Sequence, residues 1–138
     1  MRKLVIGILP VIALILLTIP AGADPVGTND QQVKSIAEPI VDNLLGGFNE
    51  GNYKQYSKNF DSAMREAIPE KKFQQVRQDL LKKLGKFQDK KYLGFLNQAP
   101  YTIVLWKGKF DKTKNDILIK LVLSKRQDKV FVAGLWFQ

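Results

Sequence analysis

The spacing of apolar residues changes at Gly85, and this change constrains the fold more than any other feature of the chain. Before Gly85, apolar residues recur at intervals of three and four, as they do on one face of a helix. After Gly85, they alternate with other residues or form β-branched and aromatic runs, as they do in strands. Helices followed by strands are typical of an α+β domain, whereas alternating βαβ units would intermix the two patterns.

The first predicted helix has an apolar stripe over residues 33–48. Two starting points fit the sequence. The helix begins either near Ser35, with Pro39 in its first turn, or near Asp30 with a kink at Pro39. Gly51 is expected to end it, because glycine adopts the left-handed conformation of a helix C-cap.

Two further helices are predicted. A short one, capped by Asn52, holds Tyr53, Tyr56 and Phe60 at helical spacing. A third carries Pro69 in its first turn and ends at Gly85.

Four strands are expected after these helices, at residues 91–97, 101–111, 117–124 and 130–137. The third has a clear alternation that puts Ile117, Ile119, Leu121 and Leu123 on one face. The short polar turns predict an antiparallel meander of the last three strands, with the helices on one face. Because the strands are strongly apolar, we expect the other face to be partly covered as well, for example by a second subunit.

Residues 1–23 have the pattern of an export signal. Two basic residues precede an apolar run over residues 4–19, and a small-x-small cleavage site ends at Ala23. The run is shorter than the ~20 residues of a membrane span. We therefore expect cleavage after Ala23 and a secreted or extracytoplasmic protein. An uncleaved anchor is the alternative, and in that case this segment would attach the protein to the membrane.

The rest of the chain is predicted to be a mobile leader, residues 24–30, and a single domain, residues 31–138. The net charge of +9, from 22 Lys and Arg against 13 Asp and Glu, belongs to the C-terminal half. Residues 71–138 hold 16 bases and 5 acids, a net +11.

The composition also limits the chemistry. The 138 residues include no Cys and no His, so the chain cannot form disulfides, zinc–thiolate sites or Ser–His or Cys–His catalytic pairs. The acids of the strand region, Asp111, Asp116 and Asp128, all fall in turns. No carboxylate cluster is present in the sequence. We therefore predict no catalytic residue, no metal site and no cofactor.

Four segments resemble those of small exported prokaryotic domains of unknown function in the nuclear transport factor 2-like superfamily, also called the cystatin-like α+β roll. They are LLGGFNEGNYKQYSKNFDSAM, IPEKKFQQVRQDLLKKLGKF, YTIVLWKGKF and VAGLWF. This resemblance implies three N-terminal helices packed on a curved antiparallel sheet of about four strands. It also implies a cone between helices and sheet, which superfamily members use as an enzyme or ligand pocket, while others dock through the sheet.

Two sets of candidate site residues follow. Six aromatic residues would line the cone, which is either open to an apolar ligand or filled by these side chains, the interpretation we favour: Phe48, Tyr56, Phe60, Trp106, Phe110 and Trp136. Seven lysines would form a basic surface, which is either solvated or a site for an anionic surface or acidic partner: Lys82, Lys83, Lys86, Lys90, Lys91, Lys107 and Lys109.

The expected function is a non-catalytic binding or interaction module that docks through its sheet face or its basic surface, with a homodimer as one form of docking. The alternative is a small-ligand carrier or an enzyme that uses the cone. Nucleic acid is not expected as a partner, because the protein is predicted to be exported and has no recognition motif.

Overall fold

A computed structural model describes residues 22–138, which form a mixed α+β fold. Its four helices are α1 (Asp30–Glu50), α2 (Tyr53–Tyr56), α3 (Ser62–Ala67) and α4 (Glu70–Lys83). They precede an open antiparallel sheet in the order β1-β2-β3-β4, with β1 at Phe87–Gln98, β2 at Tyr101–Phe110, β3 at Ile117–Arg126 and β4 at Lys129–Phe137. The predicted export signal lies almost wholly outside the described residues. Within residues 22–138, no helix has the length and apolar character needed to cross a membrane.

Helix α1 begins at Asp30, the earlier of the two predicted starts. The side chain of Asn29 accepts a hydrogen bond from the backbone N–H of Gln32 and so caps the first turn. The alternative start near Ser35 is wrong, since Ser35 lies inside the helix and its hydroxyl donates to the carbonyl of Gln32. Gly51 ends the helix as predicted, with φ of 70°.

The helical region contains four helices among the described residues, not the three expected. Helix α2 ends at Tyr56, and Phe60 lies beyond it in a bridge to Val132 of β4. The extra helix, α3, begins because the carboxylate of Asp61 accepts a hydrogen bond from the N–H of Met64. A single turn of this kind leaves too short an apolar pattern to stand out in the sequence.

The sheet has two different faces. The helices cover the inner face, where Ile117, Ile119, Leu121 and Leu123 of β3 are all buried, as their alternation predicted. The remaining strand positions form the outer face, on the side away from the helices. Because side chains alternate between the two faces of a strand, the burial of one face also determines which residues lie on the opposite face.

The segment before α1 is tied to the sheet, in contrast to the mobile leader expected. Asp24 exchanges two backbone hydrogen bonds of 2.8 Å with Lys125 at the end of β3. Val26 is buried, and its N–H donates to the hydroxyl of Thr102 at 2.9 Å. The sequence shows the polarity of this segment but not these long-range contacts.

Candidate functional site

Five of the six aromatic residues predicted to line the cone lie in the packed core. Phe48, Tyr56, Phe60, Trp106 and Phe110 are each at most 8 % exposed. Phe48 meets Phe110 edge to face at a ring-centroid distance of 6.4 Å, and Tyr56 meets Phe60 at 5.5 Å. Because these rings pack on one another, the side chains that would line a cone occupy the space between the helices and the sheet.

The sixth aromatic residue, Trp136, lies on the outer face and is 47 % exposed. Strict alternation from Val132 would turn its side chain toward the helices. A β-bulge changes this, because Val122 pairs with Gly134 and Leu123 pairs with Val132, which leaves one extra residue in β4. The placement of Trp136 in the cone is therefore wrong.

One cluster of charged side chains lies where α1 packs against β1 and β2. The carboxylate of Glu38 accepts hydrogen bonds from the indole N–H of Trp106 at 2.9 Å and from Lys90 at 2.7 Å. Lys90 also contacts Asp42 at 2.8 Å. The side chain of Lys90 is only 13 % exposed, so its assignment to the basic surface is wrong.

The ionisation of this cluster follows from its contacts. Burial alone would raise the pKa of Glu38, but hydrogen bonds from Lys90 and Trp106 outweigh it and hold that pKa below its ordinary value of 4.5. Burial would lower the pKa of Lys90, but its contacts with Asp42 and Glu38 raise it above 10.5. Both groups are held in their charged forms, which suits an ion pair and not a general acid or base near pH 7.

Two tyrosine hydroxyls near the core make hydrogen bonds that connect distant parts of the fold. Tyr53 donates to the carbonyl of Ile68 at 2.6 Å, and Tyr92 donates to Asp30 at 2.8 Å. Burial raises the pKa of Tyr56 to about 12. Burial also raises the pKa of Tyr92 to about 12, so the hydroxyls of Tyr56 and Tyr92 stay protonated near neutral pH and cannot act as bases there.

The described residues offer little for a metal ion, since no group of three or more acidic residues within residues 22–138 is placed to hold one. A cavity of about 600 Å³ opens on the surface between the start of α1 and the neighbouring strands. Its lining includes Val26, Gln32, Asn97 and Lys125. It does not include the aromatic residues predicted to line the cone.

The other six candidate lysines divide into two groups. Lys82, Lys83 and Lys86 are exposed at and just after the end of α4. Lys91, Lys107 and Lys109 lie on the outer face, where Lys91 pairs with Lys107 across β1 and β2. Lys109 contacts Asp116 at 2.5 Å, and both side chains are about half exposed.

The outer face combines these lysines with apolar side chains. Leu96 of β1 is 51 % exposed, and it lies opposite Ile103 of β2 in the strand register. On β3 and β4, the ammonium group of Lys120 lies over the ring of Trp136, 5.2 Å from its centroid. The face is defined here by its strand positions: Asp89, Lys91, Gly94, Leu96, Gln98, Tyr101, Ile103, Leu105, Lys107, Lys109, Leu118, Lys120, Val122, Ser124, Arg126, Lys129, Phe131, Gly134 and Trp136.

Several residues of the charged cluster and of the outer face were not predicted from the sequence. Glu38 was not singled out, because its role depends on α1 lying against Lys90 and Trp106, which no local pattern reveals. Leu96 and Phe131 could have been found, since each alternates with residues that face the helices.

Comparison with known protein families places the chain in a family. The model of a family described as a protein of unknown function (DUF3887) matches residues 41–128, which run from α1 to the turn between β3 and β4. No curated protein matches the chain. The matched part covers well over half of the sequence and includes most of both sheet faces, and the chain therefore belongs to the DUF3887 family of proteins of unknown function.

Proposed function

We propose that this protein is an exported, non-catalytic binding module of the nuclear transport factor 2-like type, and that it docks through the outer face of its sheet. The observation that carries the proposal is the contrast between the two faces. The aromatic residues expected to line a cone are buried against one another, whereas Leu96 and Trp136 on the outer face are about half exposed.

The order of elements supports the fold assignment. Helices precede a meander of four antiparallel strands, and the helices pack on one face of the sheet only. In this architecture the face away from the helices is free to meet another molecule. Exposed apolar side chains grouped on one surface are typical of interaction sites.

The chemistry of the charged cluster also favours binding over catalysis. Glu38 is occupied by Trp106 and Lys90, and Lys90 is occupied by two carboxylates. A carrier or enzyme that used the cone would need the packed aromatic side chains to separate first. The outer face needs no such rearrangement.

Photo-cross-linking in cells that produce the full chain tests this proposal. A benzophenone amino acid would replace Leu96 or Trp136 on the outer face, or Val76 on α4 as the control. Val76 is a suitable control because it is an exposed apolar residue, 38 % exposed, that lies away from the sheet. We expect discrete adducts from both outer-face positions and none from position 76. Equal labelling at all three positions, or none at any, would contradict docking through this face.

A further inference from the structure

We infer that the outer face binds the surface of an anionic lipid bilayer. This inference rests on the proposed function and specifies its partner. Three features support it: the apolar centre of the face, the sign of its charges and the place where the chain enters the fold.

The centre of the outer face is apolar and carries aromatic side chains. Leu96, Ile103 and Val122 lie side by side across β1, β2 and β3 in the strand register. On β4 the residue opposite Val122 is Gly134, and the outer-face residues on either side of it are Phe131, opposite Ser124, and Trp136, opposite Lys120. Aromatic and aliphatic side chains on an otherwise polar surface are suited to the boundary between lipid headgroups and acyl chains.

The charges on this face are almost all positive. Its cations are Lys91, Lys107, Lys109, Lys120, Arg126 and Lys129, and the one acid at an outer-face strand position is Asp89. Lys91, Lys107 and Lys109 lie at one end of the strands, while Arg126 and Lys129 lie at the other. Lysine and arginine side chains around an apolar centre can lay their stems on it and reach phosphate groups with their charged ends.

The same charges argue against a second copy of the chain as the partner. If two outer faces were stacked, the cations at both ends of one face would meet cations of the other. Asp89 and Asp116 cannot balance them, since Asp89 lies opposite Lys109 on the neighbouring strand and Asp116 already contacts the same lysine. An anionic surface pairs with every one of these cations and also accepts the apolar centre.

If the export signal is retained as an anchor, the path of the chain favours a lipid surface over an acidic protein. The described chain begins at Gly22, which lines a surface cavity of about 390 Å³ together with Arg126, Gln127, Lys129 and Phe131. In the alternative in which the export signal is not cleaved and anchors the chain, its apolar run ends at Ile19. Three residues span at most about 10 Å. A bilayer that holds this run therefore lies close to one end of the outer face.

Vesicle co-sedimentation of residues 24–138 tests the inference without the apolar run. This part contains the whole sheet and every buried apolar residue of the core, from Val26 to Val132. The probes are vesicles of phosphatidylcholine alone and vesicles with about one third phosphatidylglycerol, at ~0.1 M salt. We expect binding to the anionic vesicles and little to the neutral ones, with a blue shift of the emission of Trp136.

Two matched pairs of variants locate the binding. Lys91→Gln with Lys107→Gln removes two outer-face charges and should weaken binding roughly 25-fold, about fivefold for each lysine. Lys82→Gln with Lys83→Gln removes two charges at the end of α4 and should change it less than about threefold. Leu96→Glu should weaken binding at least about tenfold, because it removes an apolar contact and adds an anionic charge. Val76→Glu should have little effect.

The vesicle and cross-linking experiments distinguish lipid binding from docking of another protein on the same face. No binding to anionic vesicles, or equal losses in both members of a matched pair, would overturn the lipid assignment. Cross-links in cells from outer-face positions to a second copy of the chain or to another protein would then support docking through this face and contradict the lipid assignment. A dimer that Leu96→Glu dissociates, with no vesicle binding, would likewise overturn the lipid assignment and leave docking through this face intact.

Discussion

The two faces of the sheet are built from the same four strands, yet they differ in every property that bears on binding. On β3, Leu121 is fully buried beneath the helices, while its neighbour Val122 lies on the outer face. On β2, Trp106 is buried and bonded to Glu38, while its neighbour Lys107 carries a charge on the outer face. Alternation along each strand thus gives one sheet a packed side and an open side.

This difference indicates which face of such a fold can contact another molecule. The inner face stabilises the protein, because its side chains are packed and its charged groups are paired. The outer face contributes less to stability and is free to contact another molecule. Substitutions on the two faces should therefore differ in their effects on stability.

The largest contrast is expected between neighbouring residues of β3. Leu121→Ala should lower the free energy of unfolding by about 2–5 kcal/mol, because it leaves a cavity in the packed core. Val122→Ala should lower it by less than about 1 kcal/mol, because this side chain lies on the open face. Urea unfolding of both variants measures the difference. Equal losses would show that the two faces are equally packed.

The second contrast compares the partly buried ion pair of Glu38 and Lys90 with the exposed pair of Asp116 and Lys109. Glu38→Ala should lower the free energy of unfolding by about 1–3 kcal/mol, since it leaves Trp106 and Lys90 without their shared acceptor. Asp116→Ala removes the exposed partner of Lys109 and should leave the urea unfolding curve nearly unchanged. A large loss in the Asp116 variant would mean that the outer face also depends on its ion pairs.

Glycine positions give a third and smaller contrast. A Cβ atom at Gly108 would lie 2.7 Å from Ile119 in the core, so Gly108→Ala should cost about 1–3 kcal/mol. A Cβ atom at Gly134 would collide with the exposed ring of Trp136, which can turn away. Gly134→Ala should therefore alter the fluorescence of Trp136 with little change in thermal stability. A matching loss of stability in both variants would contradict the contrast.

The smallest predicted effect is a pH dependence with a definite sign. The pKa of Glu38 is lowered in the folded state, so its contribution is complete above 4.5 and is lost as the pH falls through the folded value. The pKa of Lys90 is raised, so its contribution is complete below 10.5 and is lost as the pH rises through the folded value.

Unfolding of Glu38→Gln between about pH 2 and 6 is the measurement for the acid side, and this variant should lose less stability on acidification than the unmodified protein. If Glu38→Gln lost as much stability on acidification as the unmodified protein, Glu38 would not contribute to the acid sensitivity of the fold.

High salt should weaken the contact of Lys109 with Asp116 more than the contacts of Glu38, because exposed pairs are screened more strongly.

How far the sequence predicts these features depends on whether they are local. The stripe on β3 and the caps at Asn52 and Gly51 depend on residues close together in the chain, and their predictions are confirmed. The facing of Trp136 depends on a bulge, which alternation cannot show. The burial of Lys90 depends on its contact with α1, since the sequence alone gives a lysine in a polar run.

The residues of the candidate site also divide into those that local sequence patterns predict and those that depend on the three-dimensional structure. Alternation predicts the outer-face residues of β2 and β3, but it does not hold along the whole of β1 or β4, where bulges shift the register. One end of the face is also missed, because the sequence predicts strands that stop at residue 124 and resume at residue 130, whereas Arg126 and Lys129 are paired strand residues. The approach of Gly22 to this end also requires the three-dimensional path of the chain.

The central claim is that the inner face is closed and the outer face is the docking surface. Acrylamide quenching of the two tryptophans tests it most directly, because Trp106 is fully buried and Trp136 is half exposed. We expect that acrylamide quenches the unmodified protein, that Trp136→Phe abolishes most of this quenching, and that anionic vesicles protect Trp136. Strong quenching of Trp106, or of Trp136 in the presence of vesicles at saturating concentration, would contradict the claim.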